Sequence, residues 1–265
     1  MKRLLSAAVL LPIAILGVLY APPALYLVGI GVIGTLCLHE YFGLVRSMGI
    51  RVQPVFGHAA FWILLVALRQ GRFPSVALFA LVLLGAFLSA MWRREWPMRD
   101  RALALMAESL GVFYFTLFLY PALPIRYDFG ADGMAWTFIL LAVIWTGDSA
   151  ALLVGRTLGR TRFAPELSPK KTNEGALGGL LAGVGIAVLV ERLLFPALPL
   201  GHVIAASVLV GVFGQMGDLA ESMLKRAAAT KDSSQLIPGH GGALDRMDSL
   251  LFAIPVLYFY LTLCC

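Results

Sequence analysis

The sequence predicts an all-α polytopic membrane protein with about nine transmembrane helices and a cytoplasmic N-terminus. Three observations predict it. Of 265 residues, 60% are hydrophobic and only 14% are charged, too little charge to cover a soluble domain of this size. The mean hydropathy is +0.85. The apolar residues also fall in runs near the ~20 residues that cross a hydrocarbon core, where a helix satisfies every backbone group.

Nine spans are predicted in order, at residues 4–20, 24–45, 55–68, 75–92, 102–123, 134–153, 175–194, 203–224 and 249–263. The first follows Met1-Lys2-Arg3 and has the outline of a signal peptide. No A-x-A site follows it and many more spans do, so it reads as a retained helix. The third is the shortest and carries His58. Tyr20-Ala-Pro-Pro, Pro121-Ala-Leu-Pro and Pro196-Ala-Leu-Pro mark tight turns, because proline stops a helix. Residues 1–133 read as an N-terminal multi-span region. Residues 134–265 read as a catalytic membrane region with two polar loops, 155–174 and 225–248.

The charge distribution orients this layout. With the N-terminus inside, only Arg69, Arg72, Arg126 and Arg192 of the 21 Lys and Arg residues fall outside, as retention of cations in the cytoplasm requires. Both polar loops then face the cytoplasm, where nucleotides are. The net charge of +6 has the same origin, so nucleic acid is not an expected partner. Cys37, Cys264 and Cys265 provide no disulfide framework.

Chemistry is sought first among charges in apolar helices. A carboxylate at mid-bilayer costs about 2.5–3.5 kcal/mol on insertion scales, so it faces a polar cavity or a partner. Glu40, beside His39 near a cytoplasmic helix end, is expected to reach water, and Glu108 divides evenly between structural and functional readings. Asp148 and Asp218 are stronger candidates, since each follows a glycine that leaves space beside the carboxylate. Asp218, Glu221, Ser222 and Lys225 line one helical stripe at i, i+3, i+4 and i+7. Gly211, Gly214 and Gly217 on a neighbouring face admit close packing. An internal Asp–Lys ion pair would explain part of the stripe, but Lys225 and Arg226 already reach the cytoplasmic edge.

The stretch 222–248 mixes Lys225, Arg226, Lys231 and Arg246 with Asp232, Asp245 and Asp248 around a PGHGG turn. Asp245 and Asp248 are one helical turn apart and can share a divalent cation, for which Mg²⁺ is the fitting choice. Complementing a helix N-terminus explains one such acid but not the D-R-x-D group beside H-G-G. In the other loop, Ser168-Pro169 reads as an N-cap and first helical residue. With Lys170, Lys171, Thr172 and Glu174 it would form an anion site at a helix N-terminus. The sequence contains no GxxxxGK[ST], GxGxxG, Cys/His cluster or G-x-S-x-G elbow. His240, between glycines, suits orienting a phosphate or hydroxyl.

The run from Ser222, Lys225, Arg226, Lys231 and Asp232 through Pro238-Gly239-His240-Gly241-Gly242 to Asp245-Arg246-Met247-Asp248 resembles the C-terminal motif of phosphatidate cytidylyltransferases, the CDP-diacylglycerol synthases. The segment from Ser168 to Gly175, and Asp148 followed by G-R-x-x-G-R, are similar to the same family. The likeness covers the C-terminal half in register. Ala243 and Asn173 depart from it, at positions where the family has larger apolar residues, and neither carries chemistry.

The resemblance implies that CTP and phosphatidate give CDP-diacylglycerol and pyrophosphate. It further implies Mg²⁺ held by Asp218, Asp245 and Asp248, with Asp218, Lys225, Arg226, Asp245 and Arg246 as the catalytic group. Substrate contacts would come from Ser168, Lys170, Lys171, Thr172, Glu174, Ser222, Lys231, Asp232, His240, Gly241 and Gly242, with Asp148 and Glu221 in support. The expected partners are CTP, phosphatidate and the bilayer, in a bacterial inner membrane with the site facing the cytoplasm. Pairing into a homodimer is compatible with the sequence. A CTP-dependent polyprenol or phytol kinase and an ion-coupled transporter share fewer of these features.

Overall fold

The computed structural model describes residues 2–236 and 241–264, with side chains from residue 11 onward. Pro238, Gly239 and His240 of the PGHGG turn lie outside the described residues, as do Met1 and Cys265. The elements in chain order are α1 (Lys2–Tyr20), α2 (Pro23–Ser47), α3 (Pro54–Gln70), α4 (Ser75–Trp92), α5 (Met98–Leu119), α6 (Ala122–Tyr127) and α7 (Asp132–Thr157). They continue with strands β1 (Arg162–Ala164) and β2 (Ser168–Thr172), then α8 (Asn173–Leu194), α9 (Leu200–Ala227) and α10 (Leu244–Cys264).

Each of the nine predicted spans corresponds to a helix. Seven are long and apolar enough to cross a membrane among the described residues, while Leu11–Tyr20 and Pro54–Gln70 are shorter apolar helices. On α4, Leu81, Leu84, Phe87, Leu88 and Met91 are exposed, the apolar face that lipid accepts and water does not. The chain is an integral membrane protein.

The chain divides into two compact units. The first comprises Ala21–Tyr120 and Leu224–Arg246, together with Met1–Leu11. Proline starts its helices: Pro22, Pro74 and Pro97 precede α2, α4 and α5, and Pro54 opens α3. A helix start tolerates a residue without an N–H donor. Phe42, Phe61, Phe115, Leu38, Leu64 and Leu65 are fully buried in this unit. Its polar anchor is Glu108, 1% exposed, which takes both arms of Arg93 at 2.8 Å and the Gln53 N–H at 2.7 Å. A buried acid engaged in this way belongs to the architecture.

The second unit comprises Pro12–Tyr20, Pro121–Met223 and Met247–Cys265. Here α8 lies against α7 along a stripe of Gly175, Gly179 and Gly183, one helical turn apart in succession. A Cβ at Gly179 would stand 2.7 Å from the Gly147 carbonyl, and one at Gly175 would stand 2.8 Å from that of Ala151. Small residues let the two backbones touch where larger ones would hold them apart.

The entry to α8 corrects one sequence expectation. Ser168-Pro169 does not cap the helix; Ser168–Thr172 is a strand pairing antiparallel with β1, Arg162 opposite Thr172 and Ala164 opposite Ser168. Proline is compatible with the edge of so short a hairpin. The cap is Thr172, extended at φ −124° and ψ 152°, whose hydroxyl accepts from the Gly175 N–H at 3.1 Å.

Candidate active site

The site residues of the second unit gather around the start of α8. Glu174 accepts from the backbone N–H of Arg160 at 3.0 Å and from the Thr161 hydroxyl at 2.8 Å, which ties the hairpin's approach to the helix. Successive strand residues face opposite sides, so Lys170 and Lys171 diverge. Lys170 is exposed, whereas the Lys171 ammonium lies 2.6 Å from an Asp218 carboxylate oxygen. The hairpin segment and α9 thereby meet.

Asp218 belongs to a group of three acids. Asp218, Glu221 and Asp248 each offer a carboxylate oxygen within 4.8 Å of the others. Asp218 and Glu221 lie three residues apart on α9, and Asp248 comes from the first turns of α10. Gly217 permits that approach, because a Cβ there would collide with the Asp248 carbonyl and stand 3.1 Å from Phe252 Cβ. Glu221, expected only in support, is a full member of the group and is buried. Asp148, exposed on α7, borders a crevice lined by Gly147, Gly179, Gly214 and Gln215.

The site residues of the first unit form a different arrangement. The Lys225 ammonium donates to Asp245 Oδ1 at 2.7 Å, with both side chains largely buried. Asp245 Oδ2 accepts from the Ser233 N–H at 3.0 Å, the Ser233 hydroxyl at 2.8 Å and the Gly242 N–H at 2.7 Å. That oxygen is saturated and the other faces a cation. Both oxygens of Asp245, which the sequence reading expected to share a metal with Asp248, are thus engaged by donors of its own unit. Arg226, Lys231, Asp232 and Arg246 of this unit are exposed; Ser222, on α9 in the second unit, is half-buried.

Glycine is required in the turn that delivers these donors. Gly241 has φ +79°, and a Cβ on it would stand 2.6 Å from Asp245 Oδ2. A Cβ on Gly242 would collide with both the Ser233 hydroxyl and the Glu40 carboxylate. Glu40 corrects a further expectation: it does not reach water but is 4% exposed, and it accepts hydrogen bonds from Ser233, Ser234, Ala243 and Leu244. Sequence reasoning assigned Glu40 to water and did not single out Ser233. The available signal was a carboxylate inside an apolar helix, which by its burial cost calls for partners.

Carboxylates at cation-sharing distance beside lysines are the equipment of enzymes that transfer phosphorus-containing groups. Carried on long apolar helices, they define the class as a membrane transferase. A sequence model described as the cytidylyltransferase family matches residues 1–264. The chain is 30% identical over 270 residues to a phosphatidate cytidylyltransferase of Bacillus subtilis (strain 168), covering 99% of this chain and 98% of that one. It is 28% identical over 264 residues to the phosphatidate cytidylyltransferase of Staphylococcus haemolyticus (strain JCSC1435), with 97% and 95% covered. A third relative of that name, from Staphylococcus aureus (strain COL), is 29% identical over 215 residues, with 81% and 77% covered. The chain belongs to the cytidylyltransferase family.

Proposed function

We propose that this chain is an integral-membrane phosphatidate cytidylyltransferase, which converts CTP and phosphatidate into CDP-diacylglycerol and pyrophosphate in phospholipid biosynthesis. The observation that carries the reading is the grouping of Asp218, Glu221 and Asp248 with Lys171 beside Asp218. A phosphatidate oxygen attacks the α-phosphorus of CTP, a new P–O bond forms, and the bond to the β-phosphate oxygen breaks. Pyrophosphate leaves with the electron pair. Phosphatidate is already anionic near neutral pH, so the reaction depends on alignment and charge compensation rather than a strong base.

The donor set fits Mg²⁺, since hard carboxylate oxygens in small number leave room for phosphate oxygens. Asp218, Glu221 and Asp248 would hold it, and when bound it offsets negative charge on the phosphates. Lys171 supplies a cation at the same place, and Lys170 a second on the hairpin's other side. Lys225, steered by Asp245, together with Arg226, Lys231 and Arg246, compensates charge on the triphosphate or the lipid phosphate. Ser168, Thr172 and Glu174 shape the hairpin entry. Ser222, Asp232, His240, Gly241 and Gly242 complete the substrate contacts. All these residues come from the stretch 134–265, and the loops 155–174 and 225–248 face the cytoplasm. The cation asymmetry supports nine crossings with the N-terminus inside a bacterial inner membrane.

Purified protein supplied with labelled CTP, phosphatidate and Mg²⁺ should release pyrophosphate and form labelled CDP-diacylglycerol. Release of CDP with a new lipid phosphate, or no lipid product, would overturn the reading.

A further inference from the structure

The first unit holds a buried carboxylate that the proposed reaction does not yet use. Glu40 lies on α2, far in sequence from the polar loop, yet both its oxygens are committed to that loop. Oε1 accepts from the Ser234 hydroxyl at 2.6 Å and the Ala243 N–H at 2.9 Å. Oε2 accepts from the Ser233 hydroxyl at 2.9 Å and the Leu244 N–H at 2.8 Å. These two N–H groups lie at the start of α10, where the helix's own first-turn acid, Asp245, accepts from Gly242, so Glu40 serves the next two donors along.

The two serines differ in what lies beyond them. The Ser234 hydroxyl also accepts from the Leu236 N–H. The Ser233 hydroxyl lies between Glu40 Oε2 and Asp245 Oδ2, at 2.9 and 2.8 Å, sharing its one hydrogen between two carboxylates. Asp245 in turn holds the Lys225 ammonium. A lysine on a flexible four-carbon stem needs such a guide to point in one direction.

We propose that Glu40 is a positioning residue for the transfer reaction, acting through Ser233 to fix Asp245 and so aim Lys225. The inference rests on the proposed cytidylyl transfer for its kinetic consequence and on geometry alone for its effect on Lys225. Glutamine at position 40 keeps the size but replaces one acceptor oxygen with a donor, opposing the N–H and hydroxyl donors that converge there.

The decisive comparison is Ser233→Ala against Ser234→Ala, with Glu40→Gln beside them. Each serine variant removes one hydroxyl donor to Glu40, but only Ser233→Ala cuts the link to Asp245. Glu40→Gln and Ser233→Ala should lower kcat/KM for CTP about tenfold or more, the scale of one charge-assisted hydrogen bond, while Ser234→Ala stays within about twofold. Amine acetylation of the full-length protein, read by mass spectrometry at Lys225, should rise in Glu40→Gln and Ser233→Ala and not in Ser234→Ala. Equal behaviour of the two serine variants in both measurements makes Glu40 an architectural anchor only and overturns the proposal. The acetylation pattern stands even if the wild-type protein forms no CDP-diacylglycerol, so failure of the reaction assignment is distinguishable from failure of this inference. Should Glu40→Gln fail to fold, the serine pair decides alone.

Discussion

Among the described residues, two groups of buried or half-buried acids differ in what faces them. Glu40 and Asp245 each accept from four donors, mostly backbone N–H groups and serine hydroxyls. Asp218, Glu221 and Asp248 instead face one another, with Lys171 set against Asp218. A carboxylate ringed by donors is stabilised in place and fixes its surroundings. Carboxylates gathered against each other cost free energy until a cation joins them. The first group therefore orders its own surroundings, and the second is a group of acids that could hold a metal ion.

The largest expected effect breaks or upholds this contrast directly. Asp218→Asn and Asp248→Asn should each lower CDP-diacylglycerol formation by about 10²–10³-fold, the scale on which a preorganised charge stabiliser is lost. Without Mg²⁺, their thermal midpoints should equal or exceed that of the wild type, because like-charge repulsion is relieved. Near-normal transfer at limiting Mg²⁺ would remove the metal assignment, and a large fall in midpoint would place these acids with the first group.

The opposite pattern is expected at the turn. Gly242→Ala drives a methyl group into the Ser233 hydroxyl and the Glu40 carboxylate, with a cost of about 1–3 kcal/mol from overpacking. Its thermal midpoint should fall, and its activity with it, whether or not Mg²⁺ is added. A stable variant with ordinary activity would mean that the donor-ringed acids tolerate displacement, which erases the distinction.

The sequence was legible where physics is local and one-dimensional. Runs of apolar residues gave every predicted span a helix, and the i, i+3 spacing placed Asp218 and Glu221 on one stripe. The three-residue spacing of Asp245 and Asp248 was also read correctly as one helical turn. Their separate fates were not legible, because they depend on what arrives from elsewhere: Lys225, Ser233 and Gly242 for Asp245, α9 for Asp248. The α8 entry misled for a related reason. Ser-Pro suits a helix start locally, but pairing with 162–164 carries the strand through to Thr172, which takes the cap. Glu40 needed partners from some 200 residues further along the chain, and no local pattern announces those.

The smallest expected effect sharpens the contrast at its edge. Lys171 and Asp218 are each about a quarter to a third exposed, so their ion pair is screened and contributes about 0.2–1 kcal/mol. Lys171→Met should therefore barely move the thermal midpoint. It should act in opposite directions on the two ligands. With the ammonium gone, Asp218 is more available to a cation, so the Mg²⁺ concentration for half-maximal rate should fall by about two- to fivefold, the equivalent of that same pair energy. The positive charge that met phosphate is gone as well, so KM for CTP should rise. Lys170→Met, on the other face of the strand, should shift the Mg²⁺ requirement little. If Lys171→Met raises both constants, Lys171 is orienting Asp218 as the donors of the first group orient theirs, and the line between the two groups has to be drawn inside the acid group itself.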